Sequence, residues 1–144
     1  MYFLIVGAGE VGVALARWLV TAEHEIAVVD KNPSRCAAVD DELGSITVVG
    51  DGTEAEVLAK AGANRADVFI ATTGKDDENM VACQLAKHRF GAARTISLAN
   101  NPENERLFNL LRIDSTVNTT DLVVGRIQGE LGGLLVEEVG GFND

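Results

Sequence analysis

At 144 residues, 47% of them hydrophobic, the chain has the length and apolar content of one domain with a proper core, and disorder is excluded. A net charge of −10 argues against nucleic acid, which needs a basic footprint, and against direct adhesion to an anionic membrane surface. No apolar run reaches the roughly 18–20 residues of a membrane span, and Met1 leads straight into an apolar run with no basic region before it, so a cytoplasmic chain without membrane insertion is expected.

Tyr2 to Val6 reads Y-F-L-I-V, a buried strand, and runs into Gly7-Ala8-Gly9-Glu10-Val11-Gly12. A helix is expected at 10–22, a second strand at 25–30 ending in Asp30, and a helix at 33–42 entered through Asn32-Pro33. A strand at 45–49 ends in Gly50-Asp51-Gly52-Thr53, and a helix follows at 54–61. A strand at 67–71 ends in Ala71-Thr72-Thr73-Gly74, before a helix at 76–90. The alternation closes with a strand at 94–98, a helix at 103–111 after Asn101-Pro102, a strand at about 115–118 and a helix at 121–131. The strands are mostly short apolar runs without alternation, as in parallel strands covered on both faces. The expected fold is α/β: a Rossmann-like doubly wound sheet of about six mainly parallel strands with helices on both faces. Residues 1–120 form the expected nucleotide-binding domain, and 121–144 an amphipathic helix and tail. Cys36 and Cys83 lack C-x-x-C spacing and read as free thiols.

Ligands of such sheets lie outside the carboxyl ends of the strands. Strand, G-x-G-x-x-G, helix, strand and acid together make a dinucleotide-binding fingerprint, where the glycines alone would be only a glycine-rich turn. Gly7 permits the tight turn, Gly9 has no side chain to hold a pyrophosphate away, and Gly12 lets the helix pack against the sheet. The helix N-terminus offers its free N–H groups to phosphates. Asp30 can accept from both hydroxyls of an adenine ribose, with Lys31 as its one adjacent cation. The loop around Asp51 can hold that carboxylate against an adenine amino group. Thr53 reads equally as a ligand contact or as the cap of the next helix. Thr72 and Thr73 would lie near the second ribose or the outer phosphates. For Asp76-Asp77-Glu78-Asn79, dipole capping alone explains most of the pattern.

GAGEVG at 7–12, VVD at 28–30, VVGDGT at 48–53, AGANRADVFIATTGKDDENMVACQLAK at 61–87 and NNPEN at 101–105 together resemble the N-terminal, nucleotide-binding half of the RCK or KTN domains, which regulate potassium transport. The resemblance covers about residues 1–120. It implies binding of NAD(H), or of ADP or ATP, to control a membrane potassium transporter or channel, with no chemistry on the nucleotide. It places Gly7, Gly9, Glu10, Val11, Asp30, Asp51, Gly52, Thr53 and Thr73 on nucleotide-contacting positions. With Ala8, Gly12, Lys31 and Thr72 they form the candidate cofactor site. Where family members commonly carry an Arg at the end of strand five, Leu98 stands here, which weakens the case for ATP. Many family members continue into a smaller C-terminal ligand-binding domain; this sequence ends at Asp144.

The alternative is the nucleotide-binding domain of an NAD-dependent oxidoreductase. It shares the fingerprint but needs a proton-transfer group facing a substrate. His24 and His88 read as surface residues away from the binding edge, and Lys75 is the one plausible catalytic lysine. The last helix carries Val124, Ile127, Leu131 and Leu134 at helical spacing after the sheet is complete, so a homodimer or higher homo-oligomer is expected through it. In the resembled family this segment crosses to a partner subunit. Gly132-Gly133 is expected to break that helix as a hinge.

Overall fold

A computed structural model describes residues 1–135. Six parallel strands form one sheet: β1 (Tyr2–Val6), β2 (Glu25–Asp30), β3 (Thr47–Val49), β4 (Val68–Ala71), β5 (Arg94–Ala99) and β6 (Ser115–Asn118). Their spatial order is β3-β2-β1-β4-β5-β6, so the chain winds outward from β1 in both directions. Helices α1 (Glu10–Thr21), α2 (Pro33–Leu43), α3 (Ala55–Lys60), α4 (Asp76–Gln84), α5 (Glu105–Leu110) and α6 (Thr119–Leu135) follow the strands in turn. The expected doubly wound sheet is the observed one.

Burial explains why β1 and β4 are uniformly apolar. Side chains of β1 alternate between two cores. Leu4 and Val6 join Phe69, Leu58 and Phe108 on the face covered by α3, α4 and α5. Ile5 joins Val28, Ile70, Leu19 and Val39 on the face covered by α1 and α2. Each large side chain buried there contributes roughly 1.5–3 kcal/mol, and both faces need one.

Local chemistry moves several element ends. Asn32 caps α2, its Oδ1 accepting from Ser34 N at 2.8 Å and Arg35 N at 3.2 Å, with Pro33 in the first turn. The helix expected at 76–90 is α-helical only to Gln84 and closes in a π turn, Leu85–Arg89. A 3-10 turn, Pro102–Asn104, leads into α5. β3 is shorter than expected because Asp40 takes the N–H groups of Ile46 and Thr47, both at 3.0 Å. The thiols of Cys36 and Cys83 are free and buried, and burial pushes Cys83 up to about 12.

Two features of α6 differ from expectation. It begins at Thr119 and passes through Gly132 and Gly133 without a break, so no hinge interrupts it there. Every residue from 121 to 130 is exposed, including Leu122, Val124 and Ile127. The helix does not pack back on its own domain.

The turn from β1 into α1 is tightly packed. Gly7 has φ +114°, a conformation open to glycine. A Cβ on Gly12 would lie 1.8 Å from the Gly7 carbonyl oxygen and 2.9 Å from Thr72 Oγ1. A Cβ on Gly9 would have no atom within 4 Å, and Gly9 has φ −80°. Gly12→Ala should therefore cost about 3 kcal/mol or more, at or beyond the upper end of ordinary overpacking. Gly9→Ala should change stability by less than about 1 kcal/mol. Urea denaturation of both variants checks the contrast; equal losses would refute this account of the turn.

Candidate functional site

Strand register brings the candidate residues to one level. Val6 lies opposite Val29 on one side and Ala71 on the other. The glycine loop after β1, Asp30 after β2 and Thr72-Thr73 after β4 therefore open onto one cleft at the carboxyl edge. The cleft has a volume of about 540 Å³, within the ~300–1,000 Å³ of small-molecule sites. Of the expected residues, Gly7, Gly9, Asp30, Lys31, Asp51, Gly52, Thr53, Thr72 and Thr73 line it. Ala8, Glu10, Val11 and Gly12 do not. Gly12 is packed on Gly7, while Glu10 and Val11 face a shallow depression on the outer side of α1.

The side chains are held in place before any ligand arrives. Asp30 Oδ2 accepts from Ala8 N at 2.7 Å, and its Oδ1 accepts from Asn32 N at 2.8 Å. The acid thus clamps the glycine loop, which is the role the structure gives Ala8. A carboxylate has about four acceptor sites, so two remain for ribose hydroxyls. Asp51 Oδ1 accepts from Thr53 Oγ1 at 2.7 Å and Thr53 N at 2.9 Å. The Thr53 hydroxyl, then its N–H, hold the Asp51 carboxyl below the usual range against burial, and Lys31 adds to the effect. Thr53 is therefore not a helix cap: α3 starts after Glu54, which makes no side-chain cap bond. Gly52 serves packing, since a Cβ there would lie 2.4 Å from Val6 Cγ1.

The two threonines are engaged by protein. The buried Thr72 hydroxyl is shared between the carbonyls of Val6 at 3.1 Å and Gly7 at 3.2 Å, so it braces the glycine loop. Thr73 Oγ1 donates to Asn79 Oδ1 at 2.6 Å, and Thr73 N donates to the same oxygen at 3.0 Å. Neither hydroxyl has a proton to spare for a ligand; both can still accept.

The acids after β4 do more than cap a helix. Asp76 is buried and accepts four hydrogen bonds: from Asn100 N at 2.7 Å, Asn100 Nδ2 at 3.0 Å, Asn101 N at 2.9 Å and Asn104 Nδ2 at 2.9 Å. It ties the start of α4 to the end of β5. Fully buried Asn79 reaches the Leu98 carbonyl at 3.2 Å. Glu78, in the first turn of α4, lines the cleft and holds Lys31 Nζ at 2.6 Å. Asn32, Arg35, Gly74 and Lys75 also line it, and Leu98 does not. Of the cleft residues outside the candidate set, Asn32, Gly50, Gly74 and Lys75 lie beside or close to candidates in the chain, whereas Glu78 meets Lys31 across 47 positions, a contact that spacing did not signal. His24 packs against the Phe3 ring, 5.1 Å between centroids, below the opposite edge of the sheet. Among the described residues no cluster of His, Cys, Asp and Glu could hold a metal ion, and no helix is long and apolar enough to cross a membrane.

A parallel sheet in this order, with a glycine turn into α1 and an acid closing β2, defines a Rossmann-type domain of the nucleotide-binding kind. The model of the TrkA-N domain matches residues 3–119, and the chain belongs to that family. It is 30% identical over 128 residues to a Trk system potassium uptake protein TrkA homolog of Methanothermobacter thermautotrophicus, covering 89% of this chain and 59% of that protein. The TrkA-N domain of the inner membrane protein ybaL of Escherichia coli superposes with TM-score 0.84 at 19% identity, over 90% of this chain and 96% of that one. The GsuK channel bound to NAD superposes with TM-score 0.75 at 25% identity, over 84% of this chain and 22% of that one. The chain thus spans about three fifths of the length of a curated relative it matches.

The Asp76 clamp has a measurable signature. Burial pushes its carboxyl up, but the hydrogen bonds from Asn100, Asn104 and Asn101 outweigh burial and leave it below its ordinary value. A depressed carboxyl stabilises the fold above the unfolded value of about 3.9 and loses that contribution as pH falls through the folded value. Asp76→Ala should cost about 2–3 kcal/mol at pH 7, because buried donors lose a charged acceptor. The difference from wild type should shrink toward pH 3. Denaturation midpoints at pH 7, 5 and 3 check this; a constant difference would refute it.

Proposed function

We propose that this domain is a nucleotide-sensing element of a potassium-transport regulator, binding NAD(H) in the carboxyl-edge cleft and passing ligand state on through a homodimer. The observation that carries the reading is Gly9. Gly7 and Gly12 are required by the packing of the turn itself, whereas a side chain at Gly9 would meet open space. A glycine the fold does not need, at the N-terminus of a helix facing a cleft, suits a phosphate approaching the backbone. Asp30, with two acceptor sites left, suits the ribose. Membership of the TrkA-N family supports the regulatory role, as does similarity to a potassium uptake protein homolog and to a channel bound to NAD. ADP and ATP share the same ribose and remain competitors for the cleft. The transporter partner would place this domain, itself without a membrane span among its described residues, at the inner face of a membrane.

The exposed face of α6 supports a dimer. Its stripe of Val124, Ile127 and Leu134 is exposed and Leu131 is half-buried. Gly125, Gly129, Gly132 and Gly133 each lower helix propensity by about 1 kcal/mol relative to alanine. Such a helix gains its stability from packing, and a second copy supplies a partner of matching chemistry.

Calorimetric titration with NAD, NADH, ADP, ATP and NADP tests the reading. NAD(H) should bind at least about tenfold more tightly than NADP(H), because the Asp30 carboxylate repels a 2′-phosphate; tenfold is ~1.4 kcal/mol. Equal binding of NADP would remove Asp30 from the ribose. Gly9→Val should abolish binding with the circular dichroism spectrum unchanged; normal binding would place the phosphates elsewhere.

Replacing both Ile127 and Leu131 with Asp should give a monomer in sedimentation velocity that still binds nucleotide. A double variant that stays dimeric would defeat the α6 interface. The rival oxidoreductase reading predicts oxidation of NADH by small carbonyl compounds with loss of turnover on replacing Lys75, whereas a sensor leaves NADH unchanged.

A further inference from the structure

Lys31 makes charged contacts across the cleft that join three segments of the carboxyl edge. β2 and β4 flank β1 on opposite sides. Lys31 follows β2, and Glu78 lies in the helix after β4, so their 2.6 Å ion pair passes over the carboxyl end of β1 and its glycine loop. Asp51, after β3, lies 3.8 Å from the same ammonium. The cleft is lined by three cations, Lys31, Arg35 and Lys75. Lys31 is taken by Glu78 and Asp51, and Arg35 lies 4.0 Å from Asp30. Of these three, Lys75 alone has no acidic partner among the described residues within salt-bridge distance.

This distribution of charge bears on which phosphates fit. A phosphate diester, as in a dinucleotide pyrophosphate, carries about one negative charge per phosphorus. A terminal phosphate monoester carries about 1.5–2 near pH 7. The second kind gains more from a further cation, and Lys31, held by Glu78 and Asp51, is the cleft ammonium that acids already engage.

We infer that Glu78 is a specificity-determining residue: by holding the Lys31 ammonium it withholds a cation from terminal phosphates, and so fits the cleft to a dinucleotide in preference to nucleoside di- and triphosphates. The inference rests on the reading of this cleft as a nucleotide site. Glu78 acts through Lys31 and need not touch the ligand. With the pair in place, a bound pyrophosphate diester draws on the glycine-loop N–H groups and Lys75. A triphosphate must compete with Glu78 for Lys31, and a Glu78 freed by that competition stands as an unpaired anion near the added charge.

The test is a double-mutant cycle with ligand charge as the readout. Dissociation constants for NAD, ADP and ATP are measured by calorimetry in wild type, Glu78→Gln, Lys31→Met and the double variant, at low and at 0.5 M salt, with folding checked by circular dichroism. In Glu78→Gln the affinity for ATP relative to NAD should rise roughly fivefold, about 1 kcal/mol, the size of a partly exposed charge pair. ADP should fall between them, and the gain should fade at high salt. In the Lys31→Met background the same Glu78 replacement should raise the ratio by less than in the presence of Lys31, because it relieves only the repulsion between Glu78 and the phosphates and releases no ammonium. An unchanged ratio in Glu78→Gln would leave the nucleotide site standing and remove Glu78 from specificity. A fivefold rise that persists without Lys31 would overturn the ion-pair mechanism. Failure of the wild-type chain to bind any of the three would instead defeat the nucleotide reading itself, and with it this inference.

Discussion

The carboxyl edge of the sheet depends on one close approach, α1 against the loop that leads into it. The Gly7 carbonyl oxygen occupies the space a side chain at Gly12 would take. That contact sets the start of α1, and with it the direction in which the N–H groups of its first turn point. Three further bonds fix the same loop. Gly7 N donates to Val29 O at 2.8 Å, Ala8 N to Asp30, and the Thr72 hydroxyl to the Val6 and Gly7 carbonyls. The loop is therefore tied to both strands that flank β1. Preorganisation of this kind lowers the entropy lost when a ligand binds. It also explains why two residues expected to meet a ligand, Ala8 and Thr72, are used to build the loop.

The architecture was legible because parallel strands buried on both faces leave a plain mark, uninterrupted runs such as Y-F-L-I-V and V-F-I-A. The glycine motif and Asp30 were legible because their spacing follows from backbone geometry within one strand–helix–strand unit. What the sequence concealed is of another kind. Glu78 reads as one more acid in a first helical turn, and the meeting with Lys31 across 47 positions follows only from sheet order. Asp76 shows the same limit: its four donors belong to a segment 24–28 residues away. Thr53 was ambiguous for a local reason. The hydroxyl of a threonine near a helix start can bond forward to the helix or back to an aspartate, and here Asp51 wins at 2.7 Å. Gly132-Gly133 misled because glycine lowers helix propensity without forbidding a helix.

The segment around Asn79 and Asn100 shows how the two halves of the domain can share one state. Asn79 binds the backbone of Thr73 and of Leu98, and Asn100 Nδ2 donates to Thr73 O at 3.0 Å. The loop after β4, which lines the cleft, thus shares hydrogen bonds with the end of β5. α6 starts beside that same end: the hydroxyls of Thr119 and Thr120 face the carbonyls of Ala99 and Asn100 at 3.5 and 3.4 Å. These last two bonds are long, and the earlier ones are short and buried. The softest link in the chain of contacts therefore lies where α6 leaves the domain.

A soft link at that position suits a regulator better than an enzyme. A ligand biases an assembly only by its unequal affinity for two arrangements. The backbone around the cleft, tied by hydrogen bonds from Asp30, Thr72 and Asp76, is poorly suited to supply two arrangements. The helix can, since its contacts with the domain are few and its apolar stripe is exposed. Asp76 and Glu78 share the first turn of α4. Asp76 fixes that turn to the β5 end, while Glu78 is held by the movable ammonium of Lys31. On the proposed reading, ligand phosphates that alter the Lys31–Glu78 pair would act on the helical turn that Asp76 ties to Asn100, beside which α6 starts, so specificity and signalling would draw on the same few residues.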